Sequence, residues 1–144
     1  MERLENVIFY TLDKAIKSYR QYAQKQLKQA GLKVTIDQWL ILTNLQDNPE
    51  ISQQELSARV FKDTASVTRI IDLLVKSGLL DRDVHADDRR RKSLSLTSKG
   101  KEILEHVRPV VRKNRATALE GLGEEDLKAL RRHLQLIIRN TEEA

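Results

Sequence analysis

Residues 51–78 read ISQQELSARVFKDTASVTRIIDLLVKSG, and the caps and apolar spacings within them decide the fold. Ser52 with Glu55 three residues on has the form of a capping box, and Ile51 and Leu56 stand where the two halves of a hydrophobic staple belong. A short helix over 53–60 follows, broken by Phe61, Lys62 and Asp63. Asp63 then caps a second helix whose apolar residues Val67, Ile70, Ile71 and Leu74 define one face, until Ser77 and Gly78 stop it. Two helices joined by a tight turn make a helix-turn-helix, in which the second helix projects its N-terminal half toward a DNA major groove.

Downstream of Gly78 the periodicity changes. Residues 80–84 and 92–96 read as two short strands, with Leu94 and Leu96 alternating with Ser93 and Ser95. The loop between them, 85–91, is polar and highly charged, so the hairpin tip is expected in solvent. Thr97 caps a long helix running to about Gly121, with Ile103, Leu104, Val107, Val110, Val111 and Leu119 on its apolar side and Pro109 expected to bend it. Leu122 and Leu127 form a second staple around Gly123, and Glu124, Glu125 and Asp126 suit the positive end of a last helix reaching about Asn140.

Upstream, apolar residues at Ile8, Leu12, Ile16, Tyr19, Ala23 and Leu27 have helical spacing from Leu4 to about Ala30, where Gly31 ends the helix. A helix of roughly 25 residues is near 40 Å long, more than one small domain needs. A second helix starts after Thr35 with Ile36, Trp39, Leu40, Leu42 and Leu45 inward, and stops at Asp47, Asn48 and Pro49. The fold class is therefore mainly α with a small β-hairpin wing. The whole of 1–144 reads as a single domain, with long helices over 1–30 and 101–144 flanking a winged helix-turn-helix over 35–100.

Composition narrows the partners. With 26 Lys and Arg against 21 Asp and Glu the chain carries +5, and the excess concentrates in 51–100, where 10 basic residues minus 7 acidic leave +3. A local basic cluster matters more to a phosphate backbone than the total, and Arg89, Arg90, Arg91 and Lys92 form one. The chain has no cysteine, which excludes disulfides, thiolate metal ligands and thiol redox sensing. Charges interleave with apolar residues at the N-terminus, so neither a signal peptide nor a membrane span is expected, and the location is read as cytoplasmic.

On the second helix of the helix-turn-helix, the face opposite Ile70 and Ile71 carries Thr64, Ala65, Ser66, Thr68, Arg69 and Asp72. Small hydroxyl residues let a helix approach bases and phosphates, and a guanidinium bonds guanine or phosphate. A merely solvated helix face has similar composition; the adjacent hairpin, whose tip presents DDRRRK, favours DNA. Arg90 is the first candidate to enter a minor groove, and Asp87 and Asp88 either neutralise the arginines or hold them.

The run from Ala65 to Leu74, then Gly78-Leu79, Asp88-Arg89-Arg90 and Leu96-Thr97-Ser98-Lys99-Gly100, resembles the MarR family of winged-helix transcription regulators in order and spacing. The C-terminal GLGEEDLKALRRHL resembles that family's last helix, so the resemblance covers essentially the whole chain. It implies a homodimer whose first and last helices intertwine, each subunit placing its winged helix on half of a palindromic operator. It also implies DNA contacts from the second helix of the motif, Arg69 included, and from Arg90 in the minor groove, with Arg89 and Arg91 beside it. The third arginine, Arg91, departs from the family pattern and its role is open. The function implied is sequence-specific binding of double-stranded DNA, as a repressor released by a small phenolic or aromatic-acid ligand.

Tyr10, Trp39 and His106 are the candidates for such an effector pocket, each also readable as core packing on an apolar helical face. His85, His106 and His133 have no paired ligand spacing, so neither a metal nor another cofactor is expected. No glycine-rich phosphate loop or nucleophile arrangement points to an enzyme. Two rival readings use the same arginines: a winged-helix module for an acidic protein surface, and a sequence-tolerant architectural DNA binder.

Overall fold

The computed structural model describes residues 1–85 and 88–144, with side chains described everywhere except 83–92. Two compact units emerge, Met1–Asn114 and Arg115–Ala144. The first opens with a single 3-10 turn over Leu4–Asn6, followed by α1 (Ile8–Gln29), α2 (Ile36–Asp47), α3 (Gln53–Arg59), α4 (Thr64–Lys76), β1 (Leu80–His85) and β2 (Asp88–Leu96). Helix α5 (Ser98–Ala118) begins in this unit, and α6 (Glu124–Glu142) belongs to the second. The architecture is the expected winged helix-turn-helix, mainly helical with one two-stranded antiparallel hairpin.

Local chemistry accounts for the element starts. Thr35 closes a full capping box on α2: its hydroxyl accepts from the Gln38 N–H at 3.1 Å while the Gln38 carboxamide oxygen accepts from the Thr35 N–H at 3.0 Å. Such reciprocal satisfaction removes two of the four donors a helix start leaves orphaned. At α5 the Thr97 hydroxyl accepts from the Gly100 N–H at 3.0 Å and donates to the Gly78 carbonyl at 2.6 Å, binding the base of the wing to the end of α4. The Asp126 carboxylate accepts from the Gly123 N–H at 2.9 Å to start α6. Helix α5 continues through Pro109 rather than stopping there.

The core lies inside the first unit. Ile41 and Leu42 of α2, Leu56 of α3, Val67, Ile71 and Leu74 of α4, Leu80 of β1 and Val107 of α5 are almost wholly buried together. Helix α2 lies against α1, α3, α4 and β2, so it is the packing centre of the unit. The close fit is sharpest at Gly100, where a Cβ would stand 2.2 Å from the Leu79 carbonyl oxygen. Only glycine lets α5 begin that near the strand.

Helix α1 divides along its length. Its C-terminal half buries Ala23 and Leu27, whereas Ile8, Phe9 and Ile16 in the N-terminal half stay about three-fifths exposed. Described by itself, α6 buries none of its residues, although Leu127, Leu130, Leu134, Ile137 and Ile138 recur at helical spacing along it. Among the described residues no helix is long and apolar enough to cross a membrane.

The wing corrects one expectation. Residues 88–91, read from sequence as loop, belong to β2. Pairing runs regularly from Leu80 opposite Leu96 to Val84 opposite Lys92, then shifts so that His85 faces Asp88. One step on β1 is thus matched by four on β2, and Arg89, Arg90 and Arg91 occupy the irregularity. A charged stretch without apolar alternation gives no period-2 signal, yet main-chain pairing needs none to extend a ladder.

Candidate nucleic-acid interface

The turn between α3 and α4 is built almost entirely from main-chain and short polar groups. Ser52 caps α3 by accepting from the Glu55 N–H at 3.1 Å, and Leu56 is fully buried beneath a half-buried Ile51, as the staple requires. Helix α3 ends in a Schellman motif: the Lys62 N–H donates to the Ser57 carbonyl at 3.1 Å and the Phe61 N–H to the Ala58 carbonyl at 3.3 Å. That motif needs a left-handed residue, and Phe61 supplies it at φ +60° with its side chain 90% exposed. Helix α4 ends in the same motif with a glycine, Gly78 at φ +79°, in that place.

Two residues later Asp63 caps α4. One carboxylate oxygen accepts from the Ser66 N–H at 2.7 Å and the other from the Ser66 hydroxyl at 2.9 Å. These bonds, the backbone one first, hold the Asp63 carboxyl below its ordinary range. The turn is also tied to the rest of the unit through Asp37 at the start of α2. Arg20 of α1 donates to one Asp37 oxygen at 2.5 Å and Lys62 approaches the other at 3.3 Å. Gln24, one turn along α1, donates to the Val34 carbonyl and accepts from the Ile36 N–H, which fixes α2 on the same helix.

The N-terminal half of α4 presents the residues expected to meet DNA. Thr64, Ala65 and Arg69 are exposed, while Ser66 and Thr68 are half-buried, all opposite buried Val67 and Ile71. The Ser66 and Thr68 hydroxyls are engaged within the protein. Ser66 donates to Asp63 and accepts from the Arg69 guanidinium at 3.2 Å. Thr68 donates to the Thr64 carbonyl at 2.9 Å and accepts from the Gln53 carboxamide at 2.6 Å. The face is thus pre-ordered, with Arg69 braced by Ser66 at the helix surface.

Gln53, the first residue of α3, is a member of this face that sequence reasoning missed. A glutamine following an N-cap has no distinguishing local signal; only the packing of α3 against α4 brings it to Thr68. Asp72, grouped with the groove-facing residues by helical spacing, instead accepts from Arg82 of β1 at 2.5 Å and braces the wing against α4. Arg89, Arg90 and Arg91 have their backbone in β2, and their side chains lie outside the described residues. The pairing expected of Asp88 with a neighbouring arginine lies there too.

The three effector candidates are not gathered into one site. Tyr10 lines a concavity on α1 with Asp13, Lys14, Lys17, Ser18 and Gln21, of which neither Trp39 nor His106 forms part. Trp39 packs, half-buried, against the core, and His106 is exposed on α5 rather than on an apolar face. Alternate sides of α5 explain this: Val107 next to His106 takes the buried position.

Residues 30–91, from the end of α1 through the three arginines, match the family model described as MarR family. A probable transcriptional regulator from Pseudomonas aeruginosa superposes with a TM-score of 0.79 at 27% identity, over 94% of this chain and 99% of its own. The BpsR protein of Bordetella bronchiseptica, whose DNA binding is regulated by 6-hydroxynicotinic acid, gives 0.83 at 21% identity over 100% and 99%. CouR from Rhodococcus jostii, solved bound to p-coumaroyl-CoA, gives 0.81 at 21% identity over 95% of both chains.

Proposed function

We propose that this protein is a homodimeric repressor that binds a pseudo-palindromic operator and is released by a small phenolic or aromatic-acid ligand; the match of residues 30–91 to the MarR family model supports this reading. The observation that carries the DNA-binding half is the capped, pre-ordered N-terminal face of α4, with Thr64, Ala65 and Arg69 exposed beside a wing whose strand β2 bears three successive arginines. A recognition helix needs such a face: small side chains for close approach, and a guanidinium able to reach guanine or phosphate. Two-stranded ribbons with cationic residues suit the negative potential of a narrow minor groove.

Support for a dimer comes from apolar surface. Ile8, Phe9 and Ile16 on α1, and Leu130 and Ile138 on α6, are all substantially exposed. Contiguous apolar stripes on long helices are characteristic of subunit contacts. Support for an effector comes from the two structural neighbours that bind or respond to aromatic acid derivatives. In this chain the Tyr10 concavity on α1 is the place proposed for it, and Trp39 and His106 form no part of that concavity.

Binding of purified protein to a selected operator, with Arg69→Ala and Arg90→Ala as variants, tests the reading. Each substitution is expected to weaken binding by about 1–3 kcal/mol while leaving the oligomeric state unchanged. Loss confined to the salt slope would make Arg69 a phosphate contact, and unchanged affinity for Arg90→Ala would remove the wing from the interface. Titration of the complex with 6-hydroxynicotinic acid and related phenolic acids tests release.

A further inference from the structure

The hydrogen bond from Gln53 to Thr68 reassigns the polar reading of α4's second turn. Thr68 stands one helical turn beyond Thr64 on the exposed side of α4, where a side chain that reads bases belongs. Its single hydroxyl hydrogen already goes to the Thr64 carbonyl, and one lone pair receives the Gln53 N–H. A hydroxyl so engaged has no donor left for a base edge. Gln53 is exposed, and its carboxamide is held over the same turn by a 2.6 Å bond. Among the described residues the remaining amide N–H and the carbonyl oxygen of Gln53 have no hydrogen-bond partner. One donor and one acceptor on a planar amide match the major-groove edge of adenine, which offers an N7 acceptor and an N6 donor.

We propose that Gln53 is a specificity-determining residue of this protein, reading adenine in each half-site, and that Thr68 is its positioning residue. This rests on the DNA-binding reading above and extends it to a residue on α3. The rotamer freedom of a glutamine opposes a directed bidentate contact, and the bond to Thr68 removes part of that freedom before DNA arrives. Glutamate at the same position would have only acceptors, which suits the N4 donor of cytosine instead.

The test is selection of bound duplexes from a random pool by the full-length wild-type protein and by Gln53→Ala, Gln53→Glu and Thr68→Val. Unfolding curves for each variant check that the fold is retained. Wild type is expected to prefer adenine at a position of the half-site where Gln53→Ala loses about tenfold or more in discrimination, with other positions unchanged. Gln53→Glu should move the preference there toward cytosine. Thr68→Val, which keeps the side-chain shape, should weaken the same position, and adding it to Gln53→Ala should change nothing further. A Gln53→Ala motif identical to wild type, or a loss spread evenly over all sequences as for a backbone contact, overturns the proposal. A wild-type protein that enriches no sequence fails differently, because it removes the DNA-binding reading itself.

Discussion

Phe61 shows how a single residue is held against its own preference. A bulky side chain in the left-handed region costs on the order of 1–2 kcal/mol relative to glycine, and at 90% exposure Phe61 recovers little of that through packing. The Schellman bonds and the Lys62–Asp37 contact over-determine the turn and keep it there. Phe61→Gly is therefore expected to raise unfolding stability by about 1 kcal/mol, read from urea curves at fixed protomer concentration; lower stability would mean that the ring makes stabilising contacts that outweigh the backbone strain. Asp63, two residues on, gives a pH signature. Its folded pKa lies below the ordinary 3.8, so the cap contributes while Asp63 is charged, and the contribution is lost as pH falls through the depressed folded value. Stability of wild type over Asp63→Asn should be constant near neutrality and narrow below pH 3.8; a gap unchanged into strong acid would show that the charge is immaterial.

At the scale of elements, the junction of wing and α5 is the least forgiving place in the chain. Thr97 binds the Gly78 carbonyl while Gly100 lies against Leu79 with no room for a Cβ. Gly100→Ala must push α5 away from the Leu79 main chain and is expected to destabilise by about 1–3 kcal/mol, whereas an alanine at Gly31, where a Cβ meets nothing, carries only the strain of φ +76°. Comparison of the two by thermal unfolding separates steric from conformational effects. Elements whose starts are fixed by short polar side chains were legible in the sequence: Thr35, Ser52, Asp63 and Thr97 all act as caps where the pattern expects them. Residues 88–91 were not, because strand pairing of a charged ribbon leaves no periodic trace. Gln53 was missed for a related reason, since its role arises from a partner fifteen residues away on another helix. Ser52 and Glu55, read as a full capping box, show only the half in which the hydroxyl accepts from the Glu55 N–H among the described hydrogen bonds.

For the whole molecule, the proposed dimer rests on the apolar residues that local packing leaves uncovered. Burial along α1 begins at Ala23, and the stripe before it, Ile8 and Ile16 among others, faces solvent in the isolated chain. Replacing both with glutamate should leave the winged helix folded and convert a dimer to monomers in sedimentation velocity. Operator affinity should then fall far more than tenfold, because two linked half-site contacts become independent. Whether this fold reads a DNA sequence as a two-fold pair is decided by selecting bound duplexes from a random pool and measuring their affinity across salt concentrations. An inverted repeat with half-site centres about 10 bp apart is expected, bound far more tightly than random duplex and with steep salt dependence. Equal affinity for selected and random duplex would contradict it.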